Sequence, residues 1–380
     1  MREGWTYKKL GEVAFYSTSR VSSSSLDETN YVGVDNLLKD RKGKIDSTVV
    51  PVEGNCIGYK CGDILVGNIR PYLKKIWLAN NDGGASGDVL VIRANNHQEL
   101  HPDFLYWALS NDAFFEYNML HSKGAKMPRG NKVDILKYIV PVPPLSEQQS
   151  IVAELDKINE LISLKKAQLS DLDSLAQSIF YDMFGDPIEN EKGWEVKKLG
   201  EITEPTIGLT YKPDNVTSDG TGTIVLRSSN IQNSKLDFED IVRVNVPIKD
   251  NKYVKEGDIL MCSRNGSFKL VGKVAMIHAL SEKMSYGAFM TIIQSEYNPY
   301  LFGYFKTSAF REYLIQGKTT TVNQITVQML KEIELPLPPL SLQQEFAKRI
   351  ELIEQQKAQI SSTIKDLETL LASRMQYWFD

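Results

Sequence analysis

The chain has 380 residues, 42% of them hydrophobic and 24% charged. That length exceeds one ordinary domain and that composition excludes wholesale disorder, so two or three domains with cores of their own are expected. The formal net charge of −4 gives no global sign of a nucleic-acid partner, and Cys56, Cys61 and Cys262 are too few for a disulfide scaffold.

The chain opens on Met1-Arg2-Glu3-Gly4-Trp5 without an apolar signal segment, and no later window reaches the ~18–20 apolar residues of a membrane span. A cytoplasmic protein with no membrane partner is the expectation. The first motif is Gly4-Trp5-Thr6-Tyr7-Lys8-Lys9-Leu10-Gly11-Glu12. Short β-branched and aromatic runs follow, split by Gly, Asn and Asp: Tyr31–Val34, Ile64–Val66, Lys75–Leu78 and Val89–Ile92. These read as strands, and a helical stretch is expected over Pro102–Phe115. Pro141-Val142-Pro143-Pro144-Leu145-Ser146-Glu147-Gln148-Gln149 then holds the backbone extended until a helix begins, with Ser146 and Gln149 matching a capping box. Leu155, Ile162, Leu169, Ala176 and Met183 recur every seven residues, with Ile158, Leu172 and Ile179 between them and Lys165 as an interruption. Such heptads predict a coiled-coil helix, ~58 Å long over residues 146–184 and stopped by Gly185-Asp186-Pro187.

The same order then repeats. Gly193-Trp194-Glu195-Val196-Lys197-Lys198-Leu199-Gly200-Glu201 matches the first motif at seven of nine positions. Strands are expected at Thr223–Leu226, Ile259–Met261, Val271–Val274 and Phe289–Ile292, and a helix at Pro299–Leu314. Pro336-Leu337-Pro338-Pro339-Leu340-Ser341-Leu342-Gln343-Gln344 again matches at seven of nine, with Ser341 and Gln344 as its capping pair. A second heptad helix follows through Ile350, Ile364, Leu371 and Trp378, with Ile353, Ile360 and Leu367 between and Lys357 interrupting. The two motifs recur at offsets of 189 and 195 residues, far too long a period for a solenoid. The expected fold is α+β: two similar mixed α/β domains at 1–145 and 186–340, joined by long helices at 146–185 and 341–380. The second helix finds a partner for its apolar stripe only by running back along the first, which gives an antiparallel two-helix coiled coil and an internal pseudo-two-fold duplication.

In this doubled order the sequence resembles the DNA-specificity (S) subunits of type I restriction–modification enzymes. The carrying motifs are Gly193-Trp194-x-x-Lys197-Lys198-Leu199-Gly200-Glu201 and Pro336-Leu337-Pro338-Pro339-Leu340-x-x-Gln343-Gln344, each present twice, and Ile69-Arg70-Pro71-Tyr72-Leu73-Lys74-Lys75 and Ser263-Arg264-Asn265-Gly266 are also similar. The resemblance implies two target recognition domains, each reading half of a split target in double-stranded DNA. It implies a coiled coil that sets the spacing and docks two methyltransferase (M) subunits carrying S-adenosylmethionine, with ATP-using restriction/translocase (R) subunits joining for cleavage. The chain itself would be non-catalytic and bind no cofactor.

Charge is unevenly placed: residues 1–145 sum to +2 and residues 146–185 to −4, so the acid concentrates on the first long helix. Two pairs of polar segments are the candidate DNA contacts. In the first copy they are Arg70, Lys74 and Lys75, and the Gly- and Pro-rich loop with Lys123, Lys126, Arg129 and Lys132. In the second they are Arg264, Asn265 and Lys269, and the loop with Lys318, Thr319, Thr320 and Asn323. Cations grip phosphates, while Arg, Asn and Thr can also reach base edges. Unlike side chains in like positions suit two different half-sites.

Other motifs carry no chemistry. Gly317-Lys318-Thr319 lacks the upstream glycine of a phosphate loop, since Glu312 stands there. Asn298-Pro299-Tyr300 lacks the second proline of an adenine-methylase motif, and the counterpart of Glu195-Val196-Lys197 has no carboxylate. His97 with His101, and Cys56 with Cys61, fall short of the usual zinc ligand sets. Trp5 and Trp194 share a place beside Lys-Lys-Leu-Gly that suggests packing. The competing classes are a fused methylase, against which the missing catalytic motifs count, and a coiled-coil adaptor that binds no DNA.

Overall fold

In a computed structural model the chain is described over residues 2–278, 280–316 and 323–379. It divides into two compact units, Met1–Lys166 with Ser362–Asp380, and Ala167–Ser361. Each unit therefore holds one globular part and portions of both long helices.

In the first unit, the two nine-residue motifs meet. Thr6–Lys9 pairs antiparallel with Ile139–Val142, in the register Thr6↔Val142 and Lys8↔Val140. Beyond this ladder lies an antiparallel sheet in the order Ala14–Tyr16, Val89–Ala94, Ile64–Gly67, Ile76–Leu78. Its central strands are apolar on both faces because the sheet is covered twice. One face meets Phe104, Leu105, Leu109 and Phe114, and the other a smaller cluster around Tyr59, Leu65 and Trp77. A second sheet, ordered Arg20–Ser22, Asn55–Tyr59, Gly83–Ala85, Tyr31–Val32, ends in a parallel pair. The helix expected over Pro102–Phe115 is two helices, Pro102–Leu109 and Asp112–Leu120. The break lies at Asn111, whose side chain accepts from Phe114 N at 2.7 Å and caps the second helix.

The second unit repeats the scheme. Glu195–Lys198 pairs with Glu334–Leu337, and the larger sheet runs Thr206–Ile207, Met290–Ile293, Ile259–Cys262, Val274–Met276. The last strand starts at Val274 because a 3-10 turn, Phe268–Leu270, and Gly272 at φ +83° precede it. The expected helix again divides, into Asn298–Tyr304 and Ser308–Gln316, where Thr307 Oγ1 accepts from Phe310 N. The second sheet has diverged to the order Val216–Thr217, Arg243–Val244, Thr223–Leu226, Met284–Tyr286.

The long helices are Leu145–Phe184 and Leu340–Phe379. Each starts one residue earlier than the capping-box reading, and a glutamine one position before the expected one sits buried at the start. Gln148 Nε2 donates to Pro143 O and Glu99 O, both at 2.8 Å, and Gln343 Nε2 donates to Pro338 O at 2.7 Å. Within the first unit, Arg374 and Trp378 Nε1 hydrogen-bond Glu154, and Lys166 pairs with Glu368 at 2.7 Å. Within the second, Lys357 reaches Asp173 at 2.7 Å, and Phe346 packs on Phe180 and Phe184. Rising numbers on one helix meet falling numbers on the other, so the helices run antiparallel in each unit. Leu155, Ile158, Ile162, Met183, Ile353, Ile360 and Ile364 are buried, as core heptad positions should be. Lys357 breaks the apolar pattern yet is buried too, because its ammonium reaches Asp173 and Glu354. The two repeated tryptophans pack rather than project. The Trp5 ring stacks on Trp378 at 6.3 Å, and Trp194 Nε1 donates to Phe184 O at 2.8 Å. Among the described residues no helix is long and apolar enough to cross a membrane.

Candidate nucleic-acid interface

In the first unit the two candidate segments, more than fifty positions apart in sequence, are laid side by side. Arg70 N donates to Pro128 O at 2.8 Å, Gly130 N donates to Asn68 O at 3.1 Å, and Ile69 bridges Arg129. The loop folds back through a mutual pair of bonds between Lys123 and Arg129, each 2.9 Å. Gly130 is required there, since a Cβ would stand 2.2 Å from Asn118 Oδ1 and 2.8 Å from Asn68 Oδ1. A third segment interlocks from the other side, with Asp40 N donating to Leu73 O and Arg41 N to Lys74 O, both 3.0 Å. Asp40, Arg41, Arg70 and Lys74 all have positive φ. Non-glycine residues in that region each cost on the order of 1–3 kcal/mol, and such strain concentrates at functional sites.

The side chains divide by what they touch. Arg70, Lys123, Lys126, Arg129 and Lys132 are exposed, as are Tyr72 and Met127 between them. Lys74 is held on Asp112 at 2.6 Å together with Arg41. Hydrogen bonds from Lys74 and Arg41 keep the Asp112 carboxyl below the usual carboxylate range. Lys75 corrects the sequence reading. It is only 9% exposed, and its Nζ donates to Val34 O at 2.6 Å. Burial pushes its ammonium pKa down.

The second unit repeats the junction. Asn265 N donates to Asn323 O at 3.2 Å, Ile325 N donates to Ser263 O at 2.8 Å, and Arg264 bridges Gln324. Asn323 Nδ2 adds a bond to Gly266 O at 2.9 Å, and Asn265 Nδ2 donates to Ser228 Oγ at 3.0 Å. Arg264 and Lys269 are exposed, and Asn265 is half-buried. Lys318, Thr319 and Thr320 lie outside the described residues. The partner of Lys75 in this unit is Lys273, which also precedes an edge strand and donates to a carbonyl, Ile231 O, at 2.7 Å. Both lysines brace the fold.

Sequence reasoning missed Arg41, Asp88 and Phe289. Asp88 pairs with Arg129 at 2.7 Å, and the Arg264 guanidinium lies 5.2 Å from the Phe289 ring centroid. Only the turn geometry unites these positions, and no shared motif marks them. Among the described residues no group of three or more His, Cys, Asp or Glu could hold a metal ion, and all three cysteines are free thiols.

The sequence profile described as the type I restriction modification DNA specificity domain matches residues 2–173 and again 191–369. The type I restriction enzyme EcoKI specificity subunit of Escherichia coli (strain K12) is 29% identical over 181 residues, covering 45% of this chain and 38% of that protein. The StySPI specificity subunit of Salmonella potsdam is 29% identical over 188 residues, covering 47% of this chain and 39% of that protein. In these matches the chain spans about two-fifths of its relatives' length. Among solved structures, one concerned with the complex assembly and conformational transition of the type I R-M system aligns with a TM-score of 0.60 at 22% identity. It covers 100% of this chain and 98% of the other. That likeness speaks for the fold.

Proposed function

This chain belongs to the type I restriction–modification DNA specificity family, and from that premise we propose that it is the non-catalytic subunit that selects the DNA sequence. Each unit reads one half of a bipartite target in double-stranded DNA. The observation that carries this reading is the repeated junction, in which the Asn68–Arg70 and Ser263–Asn265 segments bond to a polar loop by the same backbone pattern. The backbone frame is common while the side chains differ, as two unlike half-sites require. The long helices set the unread spacer and dock two methyltransferase subunits, one per half. Those partners supply S-adenosylmethionine and the methyl-transfer chemistry, and restriction/translocase subunits supply ATP-driven cleavage.

The test is a selection from random DNA and methylation mapping with the methyltransferase partner present. Exchanging residues 1–145 for those of a relative is expected to change one half of the target and leave the other intact. Both halves changing together would overturn the modular reading. No sequence preference at all would favour an adaptor that binds protein alone.

A further inference from the structure

In each unit one residue stands at the turn before an inner strand of the larger sheet. It is Asp88 before Val89–Ala94 and Phe289 before Met290–Ile293. The two positions are held alike: Asp88 O accepts from Asn68 N, and Phe289 O from Ser263 N, both at 2.9 Å. On each lies a guanidinium. Arg129 Nη2 donates to Asp88 Oδ1 at 2.7 Å, and Arg264 Cζ stands 5.2 Å from the Phe289 ring centroid. The arginines come from opposite sides of the junction. Arg129 lies on the loop that pairs with Ile69, whereas Arg264 lies on the segment that pairs with Gln324. Two different sequence positions thus deliver the same group to the same place.

Resting on the function proposed above, we propose that this guanidinium is the base-reading group of each unit, recognising a G·C pair through guanine O6 and N7 in the major groove. Asp88 and Phe289 are its positioning residues. A guanidinium has five N–H donors in one plane. Asp88 engages a single nitrogen, and Phe289 supports the planar face, so an N–H fork stays available in both units. Holding a long side chain in place beforehand lowers the ordering cost of binding. For Arg129 the choice of base over phosphate follows from charge. The Asp88 carboxylate offsets the attraction of Arg129 for a phosphate anion, but it does not repel the neutral acceptors of guanine. Its second oxygen can accept from the N4 amino group of the paired cytosine. Arg129 retains 57% side-chain exposure, so its free edge is accessible.

The experiment uses the full chain with its methyltransferase partner, in random-DNA selection and methylation mapping. Arg129→Ala is expected to lose about ten- to a hundredfold in preference for one G·C pair in one half-site, with the other half-site unchanged. Arg264→Ala should do the same in the other half-site only. Arg129→Lys keeps charge and fold but lacks the planar fork, so it should bind DNA while losing the guanine preference. Asp88→Asn should weaken discrimination at that same base pair. Uniform weakening with an unchanged motif and a salt slope lower by about one would identify a phosphate contact and overturn the assignment. A wild-type motif lacking G·C in either half-site would overturn it as well. A wild-type protein with no motif would overturn the DNA-reading function together with it.

Discussion

Lys75 and Lys273 show how far a cation's role depends on its surroundings. Both occupy the residue before an edge strand, and each ammonium donates to a carbonyl, Val34 O or Ile231 O. In sequence Lys75 is indistinguishable from Lys74, which lies half-exposed on Asp112. One position along the chain reverses the direction of the side chain. Lys75→Ala leaves the Val34 carbonyl without its donor, and an unsatisfied acceptor of this kind costs about 1–3 kcal/mol. Chemical denaturation should record that loss while the selected DNA motif stays unchanged. A changed motif with unaltered stability would restore Lys75 to the recognition surface. The polar loops were legible because Gly, Pro and clustered cations stand out. Asp88 and Phe289 were not, because one acid and one aromatic at a turn carry no pattern until Asn68 and Ser263 fix where that turn lies.

The proline runs placed the starts of both long helices to within a residue, and the heptad spacing their helical course, since a sustained apolar period is the strongest local signal a chain carries. The shorter helices were found but not their breaks, which depend on single capping side chains, Asn111 and Thr307. The helix pair also carries a titratable clasp. Hydrogen bonds from Arg374 and Trp378 hold the Glu154 carboxyl below its ordinary range. A carboxylate lowered on folding stabilises fully above its unfolded pKa of about 4.3, and that contribution is lost as pH falls through the folded value. The second helix should therefore loosen from the first unit in acid, below about pH 4. Hydrogen exchange across residues 362–379 should rise there, and Glu154→Gln should show the rise already at neutral pH. Equal protection in the variant and the parent would remove the clasp from the account.

At the scale of the whole chain, repetition was the most legible property and strand order the least. The motif pairs announced a duplication, yet nothing local says that Thr6–Lys9 closes on Ile139–Val142. That ladder joins segments 130 or more residues apart, and the smaller sheet has a different strand order in the two units. If the long helices set the target spacer, their length is its measure. Adding four residues, about one helical turn or ~6 Å, at matched points of both helices should lengthen the spacer by about one or two base pairs. Methylation mapping should find both half-sites unaltered. An unchanged spacer in the lengthened protein would deny the helices this role. The division into Met1–Lys166 with Ser362–Asp380, and Ala167–Ser361, also imposes an order on biosynthesis. The second unit is continuous and can close as soon as it leaves the ribosome. The first draws its buried core from residues 5–155, but Trp378 and Phe379, which pack against Trp5 and Phe104, come from the second long helix. At about 5–20 residues per second, these contacts wait roughly ten seconds or more after the rest of the first unit has been made. The first unit thus gains these packing partners only after the second long helix has been made.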